Sequence, residues 1–360
     1  MAPTAVSTRC SSREAEKMTL AILPNWLGDL VMVEPALRAL RERGPLTGPL
    51  TGPLTGPLTG VVAPPLASLV EDAGLVDRLE VFDRHGADSG PLGLLRAGRR
   101  LRGAEQAWVF GPSLRAAALS LASGAKQRIG MGGAGRELFL NDLRRSAHPP
   151  RSVHLCDQFR ALVLPQATDA AQCEWVPGPI GAAGLANLRA AEPRLEQAFV
   201  ALGASAMFGP AKQWPSESFV ELARRFRDED DLLPVFIGGP GDAERRMAAE
   251  LADAAGGVDL AGRTDLPTLA ALLDAARLYV GNDSGPMHLA AATGTPTVGI
   301  FGSTNPAWTA PRGPRAVVVG PGPVDCSPCY RRQCPYDLEC LRTTSVEHVH
   351  TAACELLGAS

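Results

Sequence analysis

The stretch NDSGPMH gathers side chains that could bind a ligand: an acid, a hydroxyl, a glycine and a histidine at Asp283, Ser284, Gly285 and His288. Pro286 suits the first turn of a helix, so a helix is predicted to begin at Gly285 or Pro286. The free N–H groups and the positive end of that helix form a site for phosphate, whereas Asp283 suits hydroxyl groups beside the phosphate and His288 can donate to either. A sugar diphosphate offers both groups. A helix N-cap with a packed histidine is the alternative.

A second polar stretch, SAMFGPAKQWPSESF, is predicted to be a loop between a strand and a helix, and it carries Lys212. A lysine beside a phosphate site can neutralise a departing diphosphate, because that role needs a point charge and no proton transfer. Ser205 can add a hydroxyl to the phosphates, and Trp214 and Pro215 are predicted to anchor the loop. The alternative is an exposed lysine without such a role.

Two further turns carry acids that follow predicted strands. In IGGPGDAERR, glycines open a helix, so Asp242 or Glu244 can bind ribose hydroxyls, and a capped turn fits equally well. In NWLGDL, Asp29 follows the first strand and enters a helix, whose N-terminus would keep the carboxylate ionised at neutral pH. An ionised carboxylate can accept a hydroxyl proton, although by the sequence alone a helix N-cap is the favoured interpretation. The D-x-D match at Asp228 to Asp230 follows a predicted helix and not a strand, so no metal ion held on the phosphates is expected.

Four of the eight cysteines lie in the stretch CSPCYRRQCPYDLEC, at Cys326, Cys329, Cys334 and Cys340. The C-x2-C-x4-C-x5-C spacing could hold a structural zinc ion, since four thiolates make a closed tetrahedral site. The favoured interpretation is a reduced, packed cluster in a surface loop that binds no metal and has no catalytic role.

The composition is that of an ordinary globular protein. Of 360 residues, 45% are hydrophobic and 20% charged, and the formal net charge is -3, so neither a disordered chain nor a nucleic-acid partner is expected. No apolar run of about 18 residues occurs, and a cytoplasmic location is expected, with residues 1–17 as a disordered leader. Residues 1–150 contain 18 Lys and Arg against 14 Asp and Glu, compared with 17 against 24 in the remainder. The first half is therefore the better candidate for contacting an anionic surface or substrate, although solvated helix faces would give the same excess.

Strand and helix patterns alternate along the chain in two rounds, the first opening with MTLAILP and the second with AFVALGA. This alternation predicts an α/β fold with two Rossmann-like domains, each a parallel sheet covered by helices. The domains are predicted at 18–175 and 176–345, with the boundary where the pattern decays into Gly, Pro and Ala. A C-terminal helix or tail follows at 346–360. The GPLT repeat at 44–60 is predicted to be a flexible, functionally neutral connector.

Four stretches together resemble a known family: ILPNWLGDLVMVEPALRAL, FGPAKQWPSESFVELA, VGNDSGPMHLAAATGTPTVGIFGSTNP and CSPCYRRQCPYDLEC. They are similar to glycosyltransferase family 9, the lipopolysaccharide heptosyltransferases, and most closely to its heptosyltransferase II members, from Met18 to about His348. The resemblance implies a GT-B architecture, with an acceptor-binding domain followed by a nucleotide-sugar-binding domain and a cleft between them. It also implies inverting, metal-independent transfer of L-glycero-D-manno-heptose from ADP-heptose to the inner core of lipopolysaccharide.

The same resemblance implies roles for individual residues. The acid of the family's G-D motif falls on Asp29, as general base, and the lysine of its K-x-W-P motif on Lys212, which would stabilise the ADP leaving group. The acid after the glycine turn falls on Asp242 or Glu244. The D-[ST]-G-x-x-H motif would hold the heptose and the diphosphate, and it falls on Asp283, Ser284, Gly285 and His288.

Other functions remain open on the residues alone. The same fold could use another nucleotide sugar or acceptor, or act as a nucleotide-sugar epimerase or hydrolase, or bind its ligand without catalysis. The GMGGAG run at 130–135 lacks the downstream acid that a dinucleotide site needs, so no cofactor is expected. A lipid-linked acceptor and the basic first half together suggest peripheral contact with the cytoplasmic face of the inner membrane.

Overall fold

A computed structural model of the chain describes residues 18–42, 56–144, 149 and 151–358. The expected leader at 1–17 and residues 44–55 of the GPLT repeat lie outside the described residues. Within the described ranges, the chain forms two six-stranded parallel sheets with helices between their strands. The predicted α/β class with two Rossmann-like units is therefore confirmed.

The first sheet has the strand order β3-β2-β1-β4-β5-β6, and every neighbouring pair is parallel. Its strands are β1 (Met18–Ile22), β2 (Leu58–Val62), β3 (Arg78–Val81), β4 (Ala104–Val109), β5 (Gln127–Met131) and β6 (Asp142–Arg144). The helices of this half are α1 (Leu27–Arg41), α2 (Ala67–Asp72), α3 (Gly90–Arg100), α4 (Leu114–Ala122) and α5 (Leu155–Val163).

The second sheet repeats that winding with the order β12-β11-β10-β7-β8-β9, again with parallel neighbours. Its strands are β7 (Phe199–Gly203), β8 (Leu233–Phe236), β9 (Val258–Asp259), β10 (Leu278–Asn282), β11 (Thr297–Ile300) and β12 (Ala316–Val319). The longer helices of this half are α6 (Pro179–Ala191), α7 (Ser216–Glu229), α8 (Asp242–Ala255), α9 (Leu266–Asp274) and α10 (Gly285–Ala292). Three more follow: α11 (Pro306–Thr309), α12 (Glu339–Arg342) and α13 (Val346–Gly358).

The direction of winding reverses at the centre of each sheet, between β1 and β4 and between β7 and β10. At such a point the connections leave toward opposite faces, which opens a crevice at the carboxyl ends of the strands. The first turn of α1 follows β1, and the loop before α7 follows β7, while α10 follows β10. The topology therefore places all three connections where parallel sheets bind ligands.

An apolar cluster continues from the first sheet to the second. It includes Leu37 of α1, Phe159 of α5, Leu272 of α9 and Leu289 of α10, each at most 3% exposed. A fully buried side chain of this kind contributes roughly 1.5–3 kcal/mol. The two halves are therefore joined by an apolar core, and separate clusters cover the far face of each sheet.

The stretch in which the sequence pattern decays, 167–194, contains α6. The N–H groups of Gly178, Ile180 and Gly181 donate to the carboxylate of Asp72 in the first half, at 2.9, 2.7 and 3.2 Å. An acid at a helix N-terminus satisfies N–H groups that have no partner within the helix. The helix is thus stabilised by a residue more than 100 positions away in sequence, which local patterning does not reveal.

A second buried acid holds the segment that links the halves. Glu34 of α1 accepts a hydrogen bond from the N–H of Glu174 at 2.9 Å and lies 3.4 Å from Nε of Arg38. Burial raises the pKa of Glu34 to about 7, against the opposing effects of that N–H group and of Arg38. The linking segment is therefore attached to α1 by a carboxyl group that titrates near neutral pH.

The C-terminal helix α13 packs against α7 and β11 of the second half. It buries Val349 and Ala353 in the apolar cluster on the far face of the second sheet. Among the helices that the structure describes, none combines the length and the hydrophobicity that a membrane span requires.

Candidate active site

The first turns of α1 and α10, which belong to different halves, pack directly against each other. A Cβ atom on Gly28 would lie 2.8 Å from Cδ2 of His288, and one on Gly285 would lie 2.8 Å from Cβ of Leu27. Both separations are shorter than side-chain carbon atoms tolerate, so glycine is needed at both positions. The crevices of the two sheets consequently meet at one place.

Asp29 lies at this meeting point, as the third residue of α1. The N-cap position is occupied by Trp26, so the interpretation of Asp29 as an N-cap is wrong. Burial raises the pKa of Asp29 to about 6; Lys212 opposes this increase and Asp283 adds to it. Desolvation is thus the largest influence on this carboxyl group, a contribution that the helix N-terminus alone does not predict. The carboxylate is still mostly ionised at pH 7, and its pKa is close to the value that suits a general base.

Lys212 and Asp283 form a close ion pair at the carboxyl end of the second sheet. Nζ of Lys212 lies 2.5 Å from Oδ2 of Asp283, and the two side chains are 14% and 5% exposed. The hydroxyl of Thr304 donates to the same oxygen at 2.6 Å. Oδ1 of Asp283 has Nε2 of His288 at 3.9 Å. The structure thus brings together three of the predicted residues, Lys212, Asp283 and His288. It adds Thr304, which sequence reasoning missed although it follows the strand β11.

His288 is a buried, neutral imidazole in this site. Burial lowers the pKa of His288 to about 4, and Asp283 counteracts this only in part. Its Nδ1 has no hydrogen-bond partner among the residues that the structure describes. A buried imidazole nitrogen without a partner can exchange a hydrogen bond with a bound ligand.

Ser284 occupies the N-cap position of α10, and the helix begins at Gly285 as predicted. The backbone of Ser284 is extended, with φ -151°, and its side chain makes no capping hydrogen bond. Within the first turn, Pro286 has no N–H, and the N–H of Met287 donates to the carbonyl of Ser284 at 3.2 Å. The positive end of α10 is therefore the feature that can favour an anion here.

A second polar cluster forms at the ends of β7 and β8. Oε2 of Glu244 accepts hydrogen bonds from the hydroxyl of Ser205 at 3.2 Å and from the N–H of Gly239 at 2.5 Å. Asp242 is exposed in the first turn of α8. Of the two acids that the sequence left open, Glu244 is the one that the structure joins to Ser205.

Asn282 connects the loop that carries Lys212 to the end of β10, and the sequence analysis did not identify it. Its buried side chain accepts from the N–H of Trp214 at 2.9 Å and donates to the carbonyl of Ala204 at 2.7 Å. The indole N–H of Trp214 donates to the carbonyl of Thr344 at 3.0 Å. These bonds orient the loop around Lys212. Asn282 could have been identified in the sequence because it stands directly before Asp283.

The four clustered cysteines lie beside the crevice of the second sheet. The N–H of Cys329 donates to the carbonyl of Ser303 at 3.1 Å, and Cys340 is a buried residue of α12. Among the described residues, no three of the four sulfur atoms lie within 4.8 Å of one another, and the trio that does meet this distance is Asp230, His350 and Cys354. The reduced, packed cluster stays the favoured prediction for the four cysteines, with zinc binding as the alternative.

Comparison with known proteins identifies one family. A family model described as glycosyltransferase family 9 (heptosyltransferase) matches residues 94–339. The lipopolysaccharide heptosyltransferase 2 of Salmonella typhimurium is 29% identical over 319 residues, which cover 83% of this chain and 87% of that protein.

Solved structures share the fold. The E. coli ADP-heptose lps heptosyltransferase II superimposes with a TM-score of 0.77 at 22% identity, over 95% of this chain and 99% of that chain. A glycosyl transferase family 9 structure from Veillonella parvula gives a TM-score of 0.80 at 21% identity, over 96% and 98% of the two chains. At these identities the similarity shows the fold, and the predicted GT-B architecture is confirmed.

Proposed function

The chain belongs to glycosyltransferase family 9, and on this premise we propose that it transfers L-glycero-D-manno-heptose from ADP-heptose to the inner core of lipopolysaccharide. The names of the Salmonella and E. coli relatives, a lipopolysaccharide heptosyltransferase and an ADP-heptose lps heptosyltransferase, support this donor and acceptor. The observation that carries the proposal is the meeting of Asp29 from one half with Lys212 and Asp283 from the other. Transfer inverts the anomeric carbon and uses no metal ion.

Asp29 is the proposed general base. Its carboxylate accepts the proton of the acceptor hydroxyl as that oxygen forms a bond to the anomeric carbon and the bond from that carbon to ADP breaks. A pKa of about 6 leaves Asp29 ionised at neutral pH and basic enough to take this proton. A single displacement inverts configuration because the nucleophile and the leaving group occupy opposite faces of the sugar. Placing the base and the diphosphate site on different halves of the protein suits this geometry.

Lys212 is proposed to stabilise the departing ADP. The ammonium group and the positive end of α10 lie at the same side of the crevice, where both favour negative charge. Asp283 keeps Lys212 oriented through Oδ2, which also binds Thr304. Its other oxygen, Oδ1, is then positioned to accept a hydroxyl of the heptose, and the neutral His288 beside it can bind the same sugar or the diphosphate.

Glu244 is proposed to bind the ribose of ADP, together with Ser205. Their cluster lies at the ends of β7 and β8, beside the loop that leads to Lys212. Acids at such turns accept hydrogen bonds from ribose hydroxyls. Asp242, which is exposed at the start of α8, is the second candidate for this contact.

The first half is proposed to bind the anionic acceptor and to contact the membrane surface peripherally. The excess of Lys and Arg over Asp and Glu in residues 1–150 supports this assignment. Co-sedimentation with anionic liposomes tests the membrane contact: binding that falls as salt rises is expected, and recovery of all protein in the supernatant at low salt would contradict it.

The decisive experiment measures ADP release with ADP-heptose and heptose-deficient lipopolysaccharide. Release that depends on the acceptor is expected, with Asp29→Ala abolishing transfer while ADP affinity is kept, and Lys212→Ala weakening both. Activity with a UDP-sugar and none with ADP-heptose would contradict the proposed donor. Release or isomerisation of the sugar without an acceptor would indicate a hydrolase or an epimerase. Full turnover by the Asp29 variant would remove the proposed base.

A further inference from the structure

A cluster of metal-ligating side chains lies outside the active site, where α13 meets the end of α7. Asp230 follows the last residue of α7, and His350 and Cys354 lie four residues apart on α13, so both point from the same face of that helix. Oδ2 of Asp230 is 2.8 Å from Nε2 of His350. Sγ of Cys354 is 3.8 Å from Oδ1 of Asp230 and 3.8 Å from each ring nitrogen of His350.

We propose that Asp230, His350 and Cys354 bind a transition-metal ion of the zinc type. Bonds of about 2.0 Å to nitrogen or oxygen and about 2.3 Å to sulfur place tetrahedral ligands roughly 3.3–3.5 Å apart. The observed separations of 2.8 and 3.8 Å lie on either side of that range. The shorter contact is made by Oδ2 of Asp230 and the longer one by Oδ1, and one donor atom from each of the three residues lies within 4.8 Å of the other two. Small side-chain rotations would therefore bring one oxygen, one nitrogen and the sulfur to ligand distances.

The chemistry of the three donors selects this class of ion. Imidazole nitrogen, thiolate sulfur and carboxylate oxygen together suit borderline ions such as Zn²⁺ or Co²⁺, whereas Ca²⁺ and Mg²⁺ prefer oxygen ligands alone. On binding, the neutral imidazole of His350 keeps its one proton on Nδ1 and offers the lone pair of Nε2 to the ion in place of the hydrogen bond to Asp230, and the thiol of Cys354 releases its proton to solvent. A fourth position is left for water or another ligand.

The surroundings favour a cation. Arg225 is the neighbouring base, and its guanidinium group is paired with Glu229 at 3.0 Å and with Glu347 at 2.6 Å. The three carboxylates of Asp230, Glu229 and Glu347 outnumber the one guanidinium of Arg225, so these four groups have a net charge of -2. His350 is 6% exposed and packs its ring 5.3 Å from that of Phe226, which holds one ligand in place, while Cys354 and Asp230 are half-buried and accessible from solvent.

An ion at this position would clamp α13 to α7. The carbonyl of Thr344, just before α13, binds the indole of Trp214 in the loop that carries Lys212. The site would thus stabilise the half that is proposed to bind the nucleotide sugar, at a distance from the reacting groups.

The test is a titration of the metal-free, full-length protein with Co²⁺, followed by displacement with Zn²⁺. Sulfur-to-cobalt charge-transfer absorption reports a thiolate ligand, and thermal unfolding with and without Zn²⁺ reports the clamp. The variants are Cys354→Ser and His350→Gln, with the Cys326→Ser/Cys329→Ser double variant as the control for the other cysteine cluster.

Wild type and the control are expected to share a charge-transfer band that Cys354→Ser loses, with Co²⁺ affinity at least about tenfold weaker in both single variants. Zn²⁺ should raise the unfolding temperature of wild type and not that of Cys354→Ser, whose metal-free unfolding temperature should match wild type. The proposal is overturned if Cys354→Ser and wild type titrate alike, if only the double variant loses the band, or if wild type gives no band. None of these readouts depends on transferase activity.

Discussion

Replacing Gly28 by alanine tests whether the contact between α1 and α10 positions the base. The added Cβ would lie 2.8 Å from Cδ2 of His288. Carbon atoms pack at about 3.5–4.0 Å, so the two first turns must separate by roughly 0.7 Å or more. His288 cannot yield easily, because its side chain is 5% exposed and enclosed between the two halves. The displacement therefore falls on the first turn of α1, which carries Asp29.

The expected cost is larger for catalysis than for stability. Overpacking of this size destabilises a protein by about 1–3 kcal/mol. Alanine within a helix is about 1 kcal/mol more favourable than glycine, which offsets part of that cost. The variant should therefore remain folded. A misplacement of about 1 Å at a reacting group costs on the order of 100-fold in rate, so kcat/KM should fall by roughly 10-fold to 100-fold.

The assay compares kcat/KM, unfolding temperature and ADP affinity of Gly28→Ala with those of Gly358→Ala. Gly358 is also a helical glycine, the last residue of α13, but nothing lies within 4 Å of a Cβ built there. The control should keep wild-type kinetics, and both variants should bind ADP, because Lys212 and α10 belong to the second half. A Gly28 variant with wild-type kcat/KM would refute the reasoning that this contact sets the position of Asp29.

Three further outcomes follow from the charges in and around the site. Since the pKa of Asp29 is about 6, kcat/KM should decrease about tenfold between pH 7 and pH 5, and a flat profile would contradict a base at this position. Lys212→Met should move the decrease of kcat/KM at acid pH to higher pH, because Lys212 lowers the pKa of Asp29, and it should raise the activation barrier for kcat by about 3–4 kcal/mol. Lys126→Met, which changes a surface lysine, should do neither. Glu34→Gln should increase the free energy of unfolding in urea at pH 8 by up to about 3 kcal/mol. The pKa of Glu34 is raised to about 7 in the folded state, so this group favours folding below its unfolded pKa and loses that contribution as pH rises through its folded pKa. Glutamine stays neutral and does not lose it. That gain should shrink toward pH 4, and equal stabilities of variant and wild type at pH 8 would contradict it.

The alternation of strands and helices was predictable because each element depends on local periodicity. The start of α10 at Gly285 was predictable for a similar reason, since proline in a first helical turn is a local preference. The sequence also placed Asp29, Lys212 and Asp283 after strands of a parallel sheet, where such folds bind ligands. Residue type and spacing were sufficient for these conclusions.

Contacts between distant segments required the tertiary structure. Lys212 and Asp283 are 71 positions apart, and Asp29 comes from the other half of the chain. Asp72 stabilises a helix that the pattern did not predict, and Glu34 binds the linking segment, although nothing local distinguishes these acids from exposed ones. The pKa of Asp29 could not be inferred because the helix terminus, which is visible in the sequence, stabilises its charge, while burial, which arises from packing, opposes it more strongly. Periodicity and turn chemistry act over a few residues, whereas desolvation and ion pairing depend on which segments the folded chain brings together.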